Sequence, residues 1–212
     1  GLVIVVAVGL GIIAYNNYQT SQEKQAYENF YALEKQFDEA QNKIREGLKP
    51  DDKVEYTEEV FNQHFKNTAE QMESFISSNK QRAAALMASM ELAELYSTFS
   101  RPKKASAVLG QLESAANVNT LTGALFHVEY GRVLIEEGNY GKAQTILNKV
   151  VNNKEVKFLH PVALLNIGLS YYKEQKIDQA REMFTRISNE FGETEPGQAA
   201  GTYLRILNSN QG

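Results

Sequence analysis

Cysteine and tryptophan are absent from this 212-residue chain, and histidine occurs only three times. Without cysteine there is no disulfide framework, no thiol nucleophile, no sulfur-ligated metal and, within these residues, no cysteine to carry a lipid. His64, His127 and His160 lie far apart, so no two stand at metal-ligand spacing. His127 falls in a repeat-core slot, His160 precedes Pro161 at a helix start, and His64 sits in an ordinary amphipathic stretch. Gly9-x-Gly11 is embedded in an apolar run with no strand before it, which excludes a dinucleotide fingerprint. Glu136-Glu137 reads as a solvated helix end. A basic excess is missing too: 22 Lys and Arg face 26 Asp and Glu, for a net charge of −4 and a pI near 5.5. That balance argues against nucleic acid or anionic lipid as the main partner. No residue pattern points to catalysis, a metal, a cofactor or a small-molecule substrate.

What is present is an internal repeat. Leu92-Ala93-x-x-Tyr96 is followed by Ala105 and Leu109. Tyr130-Gly131-x-x-Leu134 is followed by Gly138, Tyr140, Ala143 and Leu147, and Ile167-Gly168-x-x-Tyr171 by Ile177, Ala180 and Phe184. The small residues Ala93, Gly131 and Gly168 are 38 and 37 apart (131−93, 168−131), and Ala105, Ala143 and Ala180 keep the same steps. Two antiparallel helices approach closely only where a small side chain sits at their crossing, which explains a small residue in each helix of each pair. Apolar residues at three- and four-residue intervals supply the buried stripe. Gly138-Asn139 reads as a helix stop and Ser100-Arg101-Pro102 as the equivalent turn, whereas Gln175-Lys176 lacks the glycine. The pattern resembles the tetratricopeptide repeat, a helix–turn–helix unit of about 34 residues. It departs from that family's consensus where an early aromatic is replaced by Ser89, His127 and Leu164. The resemblance implies an all-α fold, a TPR-like α-solenoid of helical hairpins whose work is protein binding. Repeats are expected over about 83–116, 124–157 and 161–194, and Glu195-Pro196 opens a terminal capping helix.

The first fifteen residues carry no charge and no strongly polar group. Leu2, Val3, Ile4, Val5, Val6, Val8, Leu10, Ile12 and Ile13 are the expected membrane anchor, over 1–18. Fifteen helical residues span roughly 22 Å against a hydrocarbon core of about 30 Å, and a Gly start leaves room for an upstream piece. A cleaved signal peptide is the competing reading, but no small-x-small site follows. Tyr15 and Tyr18 suit a membrane–water interface, and Ala7-x-x-x-Gly11 would let another membrane helix approach. Lysine and arginine are absent before Lys24, as expected of a translocated flank.

Between anchor and repeats, residues 19–80 read as a stalk helix and a degenerate hairpin. From Ile12 to Arg45 there is neither Gly nor Pro, and Ala26, Phe30, Leu33, Phe37, Ala40 and Ile44 recur at heptad-like spacing. Gly47, Pro50 and Asp51-Asp52 end the stalk. A second helix over about 57–77 turns Phe61, Phe65, Ala69, Met72 and Ile76 inward. The seam either packs on this helix or forms a coiled-coil dimer; intramolecular packing is the expectation.

In a tetratricopeptide solenoid the first helix of each pair lines the concave groove. Mapped onto residues 81–212, the resemblance makes Val128, Arg132, Ile135, Leu165, Leu169 and Tyr172 the expected partner contacts. Relatives that grip acidic chaperone tails use Lys, Asn and Arg there. Met90, Glu94, Glu129, Val162 and Asn166 occupy those places here, so that clamp is missing. A mostly apolar groove suits an amphipathic helix or extended apolar segment, unless the chain's own terminal helix fills it. On this reading Leu169→Asp abolishes partner capture with helix content intact.

Anchor, stalk and small acidic repeat domain together resemble the YfgM-like ancillary subunits of the bacterial Sec translocon. That resemblance implies a single-pass inner-membrane protein with its repeats in the periplasm. Its protein partners would be translocon subunits and a periplasmic chaperone. A structural subunit of a flagellar, pilus or cell-division complex is the alternative.

Overall fold

The computed structural model describes residues 2–46 and 55–209, with side chains described from residue 15 onward. Every regular element among the described residues is helical. The chain forms two compact units, Gly1–Ala88 and Ser89–Gly212, with the boundary inside a helix.

In the first unit, α1 is one uninterrupted 45-residue helix, Leu2–Glu46, about 68 Å long at 1.5 Å per residue. Lys43 and Arg45 in its last turn complement the negative end of the helix dipole. α2 starts as Glu58–Val60, passes through a π-helical turn Phe61–Phe65, and continues as Lys66–Ser78. Thr57 caps its start by accepting the Val60 N–H at 3.3 Å. The heptad-like seam is spent on this hairpin. Ala26, Phe30, Leu33, Phe37 and Ala40 are buried, as are Phe61, Phe65, Ala69, Met72 and Ile76. Phe30 meets Phe75 and Phe37 meets Phe65, with ring centroids 6.4 and 5.5 Å apart. Each such buried side chain is worth roughly 1.5–3 kcal/mol. The seam therefore packs within the chain rather than as a coiled-coil dimer. Glu23 of α1 accepts the Ala83 N–H at 2.9 Å, satisfying one of the free amides where α3 begins, and Gln19 accepts from Arg82 at 2.6 Å.

Among the described residues no helix is long and apolar enough to cross a membrane. The expected anchor residues, Leu2 to Ile13, lie outside the described side chains, and the loop around Gly47, Pro50 and Asp51-Asp52 lies outside the described residues.

The helices that follow are α3 (Ala83–Thr98), α4 (Pro102–Gly110), α5 (Leu121–Glu137), α6 (Tyr140–Val151), α7 (His160–Lys173), α8 (Ile177–Phe191) and α9 (Glu195–Ser209). A 3-10 segment, Lys154–Leu159, joins α6 to α7. Pro102 and Pro161 sit in the first turns of α4 and α7, where no amide partner is needed. Thr120 and Thr194 cap α5 and α9, accepting the Gly123 and Gly197 N–H groups at 3.1 and 3.2 Å.

The periodic small residues lie where the helices cross. A Cβ on Gly131 of α5 would stand 2.6 Å from Leu147 Cδ2 of α6, and one on Gly168 of α7 would stand 2.6 Å from Phe184 Cε1 of α8. Ala93, Ala105, Ala143 and Ala180 are fully buried. The turns repeat as well. Asn139 N–H reaches Leu134 O at 2.8 Å while Gly138, at φ +88°, bonds Ile135 O, which is a Schellman cap. Arg101 to Tyr96 (2.7 Å) and Lys176 to Tyr171 (2.9 Å) make the same bond, with Ser100 (φ 56°) and Gln175 (φ 61°) in the glycine's place. These three left-handed residues are 38 and 37 apart (138−100, 175−138), the spacing of the small residues. The result is two layers: α5, α7 and α9 lie side by side as first helices, and α6 and α8 pack behind them.

Candidate protein-binding face

The first-helix layer exposes one stripe from each helix, set by three- and four-residue steps away from the crossing residue. On α5 the crossing residue is Gly131, and the outer stripe runs through Leu125, Val128, Glu129, Arg132 and Glu136. Leu125 is 39 % exposed and Val128 half-buried. On α7, Leu165, Leu169 and Tyr172 are half-buried and pack against the core formed by Leu164, Phe184, Ile187, Ala200 and Leu207. The Tyr172 ring lies 5.8 Å from Tyr203 of α9, and Tyr203 stacks on Phe184 at 5.0 Å.

The six expected contact residues therefore divide. Val128 and Leu165 are partly open to solvent. Ile135 is only 5 % exposed and cannot meet a partner without displacing a neighbour, which corrects its assignment. A stripe read from helical period does not reveal where an adjacent element overlaps it. Leu165, like Leu169 and Tyr172, also packs on the core that holds the terminal helix, so an aspartate at Leu169 strikes that packing as well as any groove. The terminal helix packs on α8 and α7, in the position of a further first helix.

Arg132 is the most connected group on this face. Its Nε donates to Glu129 Oε2 at 2.8 Å, its Nη2 to Glu94 Oε2 at 2.9 Å, and its Nη1 to Glu136. The Glu129 hydrogen bond raises the guanidinium's pKa most; burial opposes, and the charges of Glu129, Glu136 and Glu94 add to the rise. The middle of the mostly apolar groove expected from sequence thus holds one cation inside three carboxylates. Glu94 stands one repeat before Arg132 and Glu129 and Glu136 one turn to either side, so these spacings were the signal available.

His127 and His160 are structural in their contacts. His127 is buried with Nδ1 2.6 Å from Gly123 O, and burial lowers its pKa; Lys149 lowers it further, while the Gly123 carbonyl and Glu113 oppose. His160 Nε2 lies 2.8 Å from Asn153 O and ties the 3-10 segment to α7. Behind the first-helix layer, Lys142 donates to Tyr130 Oη at 2.6 Å and pairs with Glu113 at 3.3 Å, and Lys149 pairs with the same carboxylate at 3.0 Å. Burial alone would raise the Glu113 pKa, but its bonds to Lys149 and Lys142 bring it below the usual value. Among the described residues no group of three or more His, Cys, Asp or Glu is placed to hold a metal ion.

Helical hairpins crossing at a small residue, stacked with one exposed first-helix layer, define a helical-repeat interaction module. The chain matches the family of the tetratricopeptide repeat-like domain over residues 1–199, and it belongs to that family. No curated protein and no solved structure matches it. Family membership makes the chain a protein-interaction scaffold, a class whose members are typically non-catalytic.

Proposed function

We propose that this protein is a membrane-anchored scaffold whose repeats stand in the periplasm of a bacterial cell, at the Sec translocon. There the first-helix face holds a periplasmic chaperone or a translocon subunit near emerging chains. The observation that carries the binding reading is an open face on a repeat protein with apolar side chains turned to solvent, Leu125 foremost. Such a face gains free energy when a partner covers it. The membrane reading is supported by the uncharged run over residues 1–15 and the lysine- and arginine-free flank up to Lys24. Helix α1 continues past this run without a break to Glu46 and so offers a rise from the bilayer. The translocon assignment rests on resemblance of this anchor, stalk and acidic repeat domain to YfgM-like subunits.

The test uses Leu125→Asp, because Leu125 is exposed and its replacement leaves the packing of α7, α8 and α9 alone. Full-length protein is recovered from native membranes in mild detergent, and its co-purifying proteins are identified. The wild type is expected to bring down channel subunits or an envelope chaperone. The variant is expected to lose at least about 2 kcal/mol of affinity, roughly thirty-fold. Undiminished capture by the variant removes this face as the docking surface, and capture of a ring or filament protein by the wild type overturns the translocon assignment.

A further inference from the structure

The first-helix face carries an asymmetry of charge that names the chemistry of its occupant. On the α3 and α5 stripes three carboxylates, Glu94, Glu129 and Glu136, surround one cation, Arg132, a local balance of −2 (1−3). Arg132 directs its donors to all three of those carboxylates, so its hydrogen-bonding capacity is turned inward. The acids are not used up in return. The Glu94 side chain is 66 % exposed and that of Glu136 is 37 % exposed, and a carboxylate offers about four acceptor directions. An approaching carboxylate meets net repulsion and finds no free guanidinium, whereas an approaching Lys or Arg finds acceptors already held in place. Beside this acidic zone the face is uncharged. Leu125, Val128 and Leu165 are partly open, and α7 carries no charge on its stripe until Lys173. Packed first helices stand about 8–10 Å apart, so acidic and apolar zones lie within one turn or a few extended residues of each other.

We infer that this face selects a cationic amphipathic segment: its Lys or Arg side chains meet the Glu94–Arg132–Glu136 network, and its adjoining apolar side chains lie on Leu125, Val128 and Leu165. The inference rests on the reading of this face as the partner site and adds the partner's chemistry. It reverses the charge logic of the clamps that grip acidic tails.

The experiment uses the full chain in mild detergent and two labelled helical peptides, one of leucine and lysine, the other with every lysine replaced by glutamate. Fluorescence anisotropy is expected to show the lysine peptide binding at least about ten-fold more tightly, with affinity falling as salt rises. Glu94→Gln combined with Glu136→Gln is expected to weaken the lysine peptide about five-fold, each exposed charge contributing roughly two-fold or slightly more. Glu182→Gln with Glu190→Gln, on the solvent side of α8, is expected to leave it unchanged and so excludes a simple net-charge effect. Both glutamine pairs are exposed and are checked for an unaltered unfolding midpoint. Equal binding of the two peptides, binding of neither, or an equal loss from both glutamine pairs overturns the charge selection. The docking reading is judged separately, by crosslinking in native membranes from Val128, which involves neither peptide.

Discussion

The close crossing of α5 and α6 makes a quantitative prediction about Gly131. Replacing a helical glycine with alanine ordinarily stabilises a helix by roughly 1 kcal/mol. At Gly131 the added methyl would overlap Leu147, at 2.6 Å from Cδ2 and closer still to Cγ, where carbon atoms normally rest about 3.5–4.0 Å apart. Leu147 is fully buried, and its branch point is itself in conflict, so rotating its terminal methyls gives no relief. Overpacking of this kind costs about 1–3 kcal/mol. The propensity gain offsets part of it, and Gly131→Ala is expected to be less stable by about 1 kcal/mol. Gly141, in the first turn of α6, is the control: a Cβ there meets nothing within 4 Å, so Gly141→Ala is expected to be neutral or stabilising by up to about 1 kcal/mol. Urea unfolding of the full chain in detergent, followed by far-UV circular dichroism, measures both as shifts in midpoint at constant slope. Placing Gly131→Ala on a Leu147→Ala background adds a second reading. The cavity alone costs about 2–5 kcal/mol, and the new methyl then fills space instead of colliding. A midpoint that rises for Gly131→Ala as it does for Gly141→Ala would refute close approach as the reason for the recurring small residue.

The helix stops predict the opposite sign for glycine. Ser100 and Gln175 hold a left-handed conformation that costs an L-residue about 1–2 kcal/mol, so Ser100→Gly and Gln175→Gly are each expected to stabilise by about 0.5–1 kcal/mol after the added unfolded-chain entropy. Gly138→Ala, at φ +88°, should cost about 1 kcal/mol, read in the same urea titrations. His127 predicts a pH dependence. Burial lowers its folded pKa beneath the ordinary histidine value of about 6.5, so its contribution is fully present above that value and is lost as pH falls toward the folded pKa, because only the unfolded state binds the proton in that window. His127→Leu, which installs the residue type found at Leu164 in the next repeat, should remove this limb of the stability profile between neutral and mildly acidic pH; an unaltered limb would assign it to other groups.

The repeats were legible because their small residues answer to one local constraint, a helix crossing, and a constraint on size leaves a trace at fixed spacing. The seam of α1 was legible for the same reason, since Phe30 and Phe37 recur at the interval that keeps them against Phe75 and Phe65. The caps were half legible. Gly138 announces a left-handed turn, whereas Ser100 and Gln175 adopt one only because the following hairpin demands it. The face was harder to read because its features depend on neighbours. Helical period placed Ile135 on the open stripe, and tertiary packing buried it. Arg132 and Glu94 both map to the groove face in sequence, but only the adjacency of α3 and α5 brings them together across 38 residues.

The central claim is that the first-helix layer docks a protein partner beside the membrane. Photoreactive residues introduced at Leu125 and Val128 in the full-length chain, activated in native membranes, test it most directly. The account predicts crosslinks from both positions to a translocon subunit or an envelope chaperone. Crosslinks confined to the protein's own terminal helix α9, or to a ring or filament protein, would contradict it.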